Sequence, residues 1–304
     1  MGLLFFLAFR ARAQGGIGTD SIVTFKLHEG DGLYYINSDI NGTPTKIWIN
    51  SGPGLIVDEK FFKKHKDEWK LDIKPVKGEL RNLTENDSVK YSGRTFLHIG
   101  NAIFNGPIIV VKGHKRIMMP LQGLRMEHDK SSIVKLDLPN KQMTLITRHM
   151  LAKDSIDCSV FSLKKSQKGG FPVIKTRVAF KTNDKIIQMD GNFAVSIGNA
   201  NLLSLSTYNA DVSRMIKDYE IELKPAWSRF RHVVSDGILA DRCYIAGYIF
   251  GQNGIVVTDK YKSLEAGTIG LKFFVTPVIF DFNERKMYIK WFKGGVKEDG
   301  PILK

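Results

Sequence analysis

An internal repeat constrains the fold of this chain more than any other feature of its sequence. The segment LDLPNKQMTL, Leu136 to Leu145, aligns without gaps on FDFNERKMYI, Phe280 to Ile289. In both copies, alternating apolar residues flank a tight turn that contains asparagine, and one aspartate, Asp137 or Asp281, comes before the turn. This pattern predicts two β-hairpins of the same design. The chain therefore contains a duplicated unit.

Other landmarks recur in the same order, at the same offset of about 145 residues. The tripeptide Asn50-Ser51-Gly52 falls on Ser196-Ile197-Gly198, and each follows an apolar stretch. Further along each half, apolar residues precede a glycine, Gly123 in the first half and Gly270 in the second. The repeat therefore predicts two homologous lobes rather than one core.

Short alternating segments punctuated by Gly, Asn, Asp and Pro predict mostly β structure in β-barrel-like lobes with few short helices. Helices are predicted at Asp58 to Trp69 and at Thr207 to Glu220, each following its tripeptide at a similar distance. We predict an N-terminal lobe over residues 21–150 and a C-terminal lobe over residues 160–295. The polar segment around Lys153 to Gly170 is predicted to join them.

The first residues of the chain predict export. An apolar run, Leu3 to Phe9, is followed by Ala11-Arg12-Ala13, which has the small-x-small form of a signal-peptidase site. We predict a signal peptide over residues 1–14 and a periplasmic or secreted protein. No later segment approaches the roughly 20 apolar residues of a membrane span, so none is expected.

Composition narrows the classes of partner. The net charge of +14 favours a partner with an acidic surface, or an acidic polysaccharide. Because the basic residues are spread along the whole chain without a DNA- or RNA-binding motif, we expect no nucleic-acid partner. The seven histidines lack the spacing of a zinc site, so we expect neither a metal nor another cofactor. The two cysteines, Cys158 and Cys243, leave a disulfide open.

The combined pattern resembles the pepsin- and retropepsin-like aspartic peptidases, in particular their exported bacterial members. The resemblance rests on a strand ending in a polar-Gly tripeptide in each lobe, a flap-like hairpin and an apolar-apolar-Gly strand. It also rests on a closing phrase, clear in Gly267 to Phe292 and weaker in Leu121 to Thr147. The resemblance covers nearly the whole mature chain. It implies a cleft between two lobes, with one aspartate from each lobe at its floor, where two carboxylates about 3 Å apart share a proton and act on water.

The sequence departs from this family at both aspartate positions. Asn50 stands where the first aspartate belongs and Ser196 where the second belongs, whereas Ser51 and the turn glycines Gly52 and Gly198 are kept. Neither an amide nor a lone hydroxyl takes a proton from water near neutral pH. The resemblance and its departures together predict a catalytically inactive pseudoenzyme that binds a peptide or protein segment in the cleft.

Two flap-like stretches, Asn82 to Gly93 and Trp227 to Gly237, are predicted to close over a ligand. The candidate binding residues on them are Tyr91, Trp227 and Arg229, which are of types favoured at binding surfaces.

Two alternative functions remain open from the sequence. One is an active aspartyl endopeptidase with displaced catalytic acids, for which Asp190, Asp137 and Asp281 are candidates, although turn stabilisation explains the last two better. The other is a surface-binding protein for an acidic polymer.

Overall fold

The computed structural model describes residues 22–52, 54–69, 72–75, 88–166, 170–227, 234–258 and 264–290. The first half contains β1 (Val23–Lys26), β2 (His28–Gly30), β3 (Leu33–Ile40), β4 (Thr43–Asn50), β5 (Leu55–Asp58), α1 (Glu59–Trp69), β6 (Asp72–Pro75), β7 (Ser88–Ile99), β8 (Ala102–Lys112), β9 (Ile117–Pro120), β10 (Leu124–Met126), β11 (Ile133–Asp137), β12 (Gln142–Leu145) and α2 (Arg148–Asp154). The second half contains β13 (Cys158–Ser162), β14 (Lys164–Lys165), β15 (Pro172–Thr182), β16 (Lys185–Val195), β17 (Leu203–Ser206), α3 (Ala210–Asp218), β18 (Lys224–Trp227), β19 (Val234–Ala240), β20 (Arg242–Ile245), β21 (Tyr248–Phe250), β22 (Asn253–Thr258), β23 (Gly267–Ile269), a 3-10 helix (Leu271–Phe273), β24 (Val278–Asp281) and β25 (Lys286–Lys290).

The strands of the described residues form three sheets. The N-terminal sheet has nine strands, in the order β10-β8-β5-β9-β4-β3-β7-β6 with β2 paired to β3. The C-terminal sheet has ten strands, in the order β18-β19-β22-β17-β23-β16-β15-β20-β21 with β14 paired to β15. A third, shared sheet has the order β1-β12-β11-β24-β25-β13 and takes strands from both halves. The predicted fold class, mostly β with few short helices, is confirmed.

The N-terminal and C-terminal sheets repeat one connectivity. In the first, β9 lies between β4, to which it is parallel, and β5, to which it is antiparallel, while β5 is parallel to β8. In the second, β23 lies between parallel β16 and antiparallel β17, while β17 is parallel to β22. The duplication seen in the sequence is therefore a duplication of strand topology.

The two repeated hairpins meet in the shared sheet. They are β11–β12 and β24–β25, and β11 pairs antiparallel with β24. In this pairing Lys135 lies opposite Ile279, and the ungapped repeat also places these two residues on each other. An approximate two-fold axis therefore passes between them and relates the two halves.

Both predicted helices are present. α1 is amphipathic and buries Phe62, His65 and Trp69. α3 begins after Asn209, whose side chain accepts the backbone N–H groups of Asp211 and Val212, as an N-cap residue does.

The described residues of the segment predicted to join the lobes include helix and strand. It begins within α2, a helix that the sequence did not predict, in which the Thr147 side chain accepts the Met150 N–H as the N-cap. It continues into β13, which pairs with β25 at the edge of the shared sheet. The connection between the halves is thus part of the sheet that both halves build.

Candidate functional site

The tripeptides of the two halves lie at equivalent points of the two sheets. Asn50 ends β4, and its carbonyl oxygen accepts the Leu121 N–H at 2.9 Å, just beyond β9. Ser196 directly follows β16, and its N–H donates to the carbonyl oxygen of Ile269 in β23 at 2.9 Å. Each tripeptide thus lies next to the end of the strand that pairs in parallel with its own, which is β9 in the first half and β23 in the second. We call the place where the two tripeptides meet the interlobe junction.

Ser51 joins the two tripeptides across the junction. Its hydroxyl donates to the carbonyl oxygen of Val195 at 2.7 Å and accepts the Ile197 N–H at 3.1 Å. These bonds flank Ser196 on both sides along the chain. Ser51 is only 2% exposed, so the two bonds are shielded from water.

This bridge is one-sided. Ser51 and Ile197 are repeat partners, so a two-fold arrangement would have a hydroxyl at position 197 returning equivalent bonds to the first lobe. Isoleucine has no polar side-chain atom and cannot do so. The Ser51 N–H is instead accepted by the side-chain oxygen of the adjacent Asn50 at 2.7 Å. The Ser51 N–H thus makes a local hydrogen bond to Asn50 instead of a bond to the other lobe.

The Asn50 side chain lies between two glycines, one from each tripeptide. A Cβ atom on Gly198 would stand 2.7 Å from Asn50 Oδ1, and one on Gly52 would stand 2.9 Å from Asn50 Nδ2. Real Cβ atoms do not approach other atoms this closely, so a side chain at either position would force the Asn50 amide to move. The close contact also shows that the tip of one lobe touches the tip of the other.

The orientation of the Asn50 amide follows from its partners. Because the Ser51 N–H needs an acceptor, the oxygen points toward Ser51, and the amide nitrogen lies on the opposite side. That nitrogen makes no hydrogen bond to another residue in the described part of the chain. The residue as a whole is 6% exposed, whereas Ser196 is half-buried. The junction thus presents an amide donor and a hydroxyl, and neither group is a base at neutral pH.

Two apolar side chains border the junction, and the sequence predicted neither of them. Met118 in β9 lies 3.7 Å from the Cβ position of Gly198, and Phe171, just before β15, lies 3.7 Å from that of Gly52. Both are half-buried. Met118 lies at the junction because it pairs with Trp48 across β4 and β9. No sequence pattern predicts that Phe171 lies there.

The three aspartates considered as displaced acids are engaged elsewhere. Asp190 on β16 faces Arg177 on β15, and its carboxylate accepts two hydrogen bonds of 3.0 Å from the guanidinium. These bonds lower the pKa of Asp190, opposite to the shift that a general acid at neutral pH requires.

Asp137 and Asp281 stabilise their hairpin turns, as the sequence predicted. Asp137 accepts the backbone and side-chain N–H groups of Asn140 at 3.1 and 2.9 Å. Asp281 is fully buried and accepts the backbone N–H groups of Asn283 and Glu284 at 3.1 and 3.0 Å. It is also ion-paired with Arg148 from the first half.

The flap candidates are described only in part. Tyr91 lies in β7 opposite Pro75 of β6, and its ring centroid is 5.2 Å from that of Phe62, so it packs on helix α1. Trp227 ends β18 opposite Val234 of β19, and its side chain lies outside the described part of the chain, as do Arg229 and residues 82–87. The described parts of the two predicted flap segments lie in the antiparallel strand pairs β6–β7 and β18–β19, and their closing over a ligand stays a prediction.

Within the residues that the structure describes, no group of three His, Cys, Asp or Glu side chains is placed to hold a metal ion. None of the described helices combines the length and the apolar character that crossing a membrane requires. Cys158 and Cys243 are free thiols.

Comparisons with known proteins identify the fold. No protein-family model matches the chain, and no curated protein sequence matches it. Among solved structures, the aspartic proteinase from Irpex lacteus is similar, with a TM-score of 0.53 and 8% sequence identity over 90% of this chain and 98% of that one. Basic 7S globulin from soybean, and conglutin gamma, a basic 7S globulin from lupine seeds, each give a TM-score of 0.47, at 9% and 10% identity. The globulins cover 90% and 89% of this chain, and the match spans 95% of each of them. The first likeness shows that this chain has the pepsin-like aspartic proteinase fold.

Proposed function

We propose that this protein is a catalytically inactive member of the pepsin-like aspartic peptidases, and that it binds an extended peptide segment in the cleft between its lobes. The observation that carries the proposal is the interlobe junction. Its two facing tips carry an amide and a hydroxyl in place of two carboxylates.

The contacts of Ser51 support the assignment of Asn50 and Ser196 to the two catalytic positions. An error of one or two residues in the repeat alignment would place another residue of the second tripeptide at the tip. The Ser51 hydroxyl, however, bonds the residues before and after Ser196, and Gly198 packs on the Asn50 amide. Ser196 is therefore the residue of the second tripeptide that lies between these contacts.

Loss of both carboxylates removes the chemistry and leaves a binding surface. An aspartic dyad works because one proton is shared between two acids, so that one acid activates water while the other protonates the substrate. The amide of Asn50 and the hydroxyl of Ser196 cannot exchange roles in this way. They can form hydrogen bonds to the polar groups of a bound main chain.

The surroundings of the junction suit a peptide. The amide nitrogen of Asn50 has no partner among the described residues and can donate to a peptide carbonyl oxygen. Met118 and Phe171 offer half-buried apolar surface on either side, suited to alternate side chains of an extended segment. A peptide bound in this way would be held without being cut.

Selection of peptides from a display library, followed by affinity measurement, tests this function. We expect selected peptides to bind reversibly and to be recovered intact. Ser196→Trp fills the junction and should weaken their binding at least about tenfold, by steric exclusion. Ser162→Trp, at an exposed position on β13, is the matched control and should leave the affinity unchanged. Equal binding to both variants, or recovery of cleaved peptides, would contradict the proposal.

We also propose that the mature protein is exported, as the apolar run and small-x-small site at the N-terminus suggest. Expression of the full chain in a bacterial host, followed by fractionation and N-terminal sequencing, tests this. Export requires a mature N-terminus close to residue 14, and a cytoplasmic product that retains Met1 would contradict it.

A further inference from the structure

A pocket with a volume of about 400 Å³ lies in the N-terminal sheet, where β4 and β9 begin and β5 ends. This is the end of β4 opposite to Asn50. Its lining includes three cationic side chains, a histidine and two aromatic rings, which are Lys46, Lys115, Arg116, His114, Trp48 and Phe61. We call it the basic pocket.

Aromatic rings hold two of the cations in place. The Lys46 ammonium lies 3.7 Å from the ring centroid of Tyr35 and 4.7 Å from that of Trp48. The Arg116 guanidinium lies 4.4 Å from the Trp48 ring centroid. Contacts of this kind fix the position of a cation without neutralising its charge. Folding has therefore already ordered these side chains in part, so binding a ligand costs less side-chain entropy.

A hydrogen bond also fixes the loop that lines the pocket just before β9. His114 Nδ1 lies 2.6 Å from the carbonyl oxygen of Arg116. Because a carbonyl oxygen only accepts, Nδ1 carries the proton and donates this bond. The bond closes the short loop before β9 and holds the Arg116 backbone.

The acidic groups near the pocket leave it with an excess of positive charge. Asp31 is ion-paired with Arg116 at 2.5 Å, but it is itself exposed. The Asp58 carboxylate lines the pocket and accepts the Lys60 N–H at 2.9 Å, at the start of α1. Neither Lys46 nor Lys115 forms an ion pair with a carboxylate in the part of the chain that the structure describes.

We propose that the basic pocket binds the oxyanion of a small ligand, namely a phosphate, sulfate or carboxylate group on a body no larger than a monosaccharide. Pockets of this volume are at the small end of the range for small-molecule sites. Lysine and arginine supply charge-assisted hydrogen bonds to oxyanions, and the Phe61 ring forms an apolar wall beside them. This proposal is independent of the function proposed for the cleft.

Calorimetric titration of the full chain at low ionic strength tests the proposal, with glucose 6-phosphate, glucuronate, inorganic phosphate and glucose as probes. We expect saturable binding of at least one charged sugar, weaker binding at higher salt, and no binding of glucose. If glucuronate binds and the phosphate ester does not, the oxyanion is a carboxylate. The reverse result makes it a phosphate. Failure of all three anions to bind, or equal binding of glucose, would overturn the proposal.

Substitutions locate the site. Lys46→Gln and Lys115→Gln should each lower the affinity for the bound anion about tenfold, because each removes one charge-assisted hydrogen bond. The control is Lys164→Gln, an exposed lysine in the other half of the chain, which should change nothing. Ser196→Trp should also leave anion binding intact, which separates this site from the cleft. If the three lysine variants behave alike, the anion binds by overall charge and the pocket plays no part.

Discussion

The hydroxyl of Ser51 in one lobe donates a 2.7 Å hydrogen bond to the carbonyl oxygen of Val195 in the other, and both residues are buried. The same hydroxyl accepts the Ile197 N–H. Because position 197 has no hydroxyl to return these bonds, Ser51 makes the side-chain hydrogen bonds that join the two tripeptides in the described part of the chain. Removal of this one hydroxyl should therefore lower the free energy of unfolding substantially.

Ser51→Ala should lower the free energy of unfolding by about 1–3 kcal/mol, since it leaves a buried carbonyl oxygen and a buried N–H without their partner. Urea denaturation followed by circular dichroism measures this value. Ser162→Ala, at an exposed position, provides the control and should change stability by less than about 0.5 kcal/mol. Equal midpoints for the two variants would show that the bridge contributes nothing.

Gly198→Ala should destabilise the protein by about 1–3 kcal/mol, because the new Cβ would overlap the Asn50 side-chain oxygen. The overlap disappears when Asn50 is shortened, so the penalty should be at least about 1 kcal/mol smaller in an Asn50→Ala background. A double-mutant cycle by urea denaturation measures this coupling. Gly251→Ala is the control, since a Cβ there meets no atom within 4 Å. Strict additivity of the two substitutions would contradict the contact.

The two hairpin aspartates occupy repeat-equivalent positions but should differ in importance. Asp281 is fully buried with two backbone donors and Arg148, whereas Asp137 is half-buried and, among the described residues, bonds only within its own turn. Asp281→Asn should cost about 1.5–3 kcal/mol, mainly by weakening hydrogen bonds to a charged acceptor. The Arg148 side chain is partly exposed, so its Coulomb contribution is screened and smaller.

Asp137→Asn is the matched comparison and should cost about 0.5–1 kcal/mol, the range of an ordinary hydrogen bond. Chemical denaturation of both variants under one set of conditions gives the difference. A larger effect at position 137 than at position 281 would be incompatible with the assigned contacts.

Cys243 should be inert in the folded protein. Burial raises its pKa to about 11, so on the order of one part in a thousand is thiolate, the reactive form, at pH 8. In a Cys158→Ser variant we expect no reaction with an aromatic disulfide reagent until urea unfolds the chain. Prompt reaction of the folded variant would contradict the burial of this thiol.

The raised pKa of Cys243 also predicts a direction of pH dependence. Below about pH 8.5 the thiol is protonated in both the folded and unfolded states. Between that pH and about 11, the unfolded state ionises while the folded state does not, so stability falls as pH rises. Cys243→Ala should flatten this part of the stability curve, as measured by urea midpoints at several pH values.

The repeat made the overall architecture predictable. Two copies of one hairpin imply two related halves, and the antiparallel pairing of β11 with β24 places those hairpins side by side. The candidate site was predictable for the same reason. Asn50 and Ser196 are far apart in sequence, but each lies at the end of the equivalent strand of its half, Asn50 as the last residue of β4 and Ser196 directly after β16. The two-fold symmetry brings these strand ends together.

What the sequence did not predict depends on contacts between distant segments. β13 is short, and its residues are extended because they pair with β25, which no local pattern shows. The basic pocket likewise combines Lys46 with Arg116, which approach each other because β4 and β9 are parallel neighbours. The bridging role of Ser51 was also hidden, since a serine in a tight turn is explained equally well by the turn itself.

The proposed function requires that the interlobe junction has no working acid pair, and a hydrolysis assay tests this most directly. Purified mature protein is incubated with a mixed peptide library between about pH 3 and 7, the range in which carboxyl dyads work, and products are identified by mass spectrometry. We expect no cleavage above the level of a buffer blank. Cleavage that is blocked by pepstatin, and abolished when one particular aspartate is replaced by asparagine, would contradict the account.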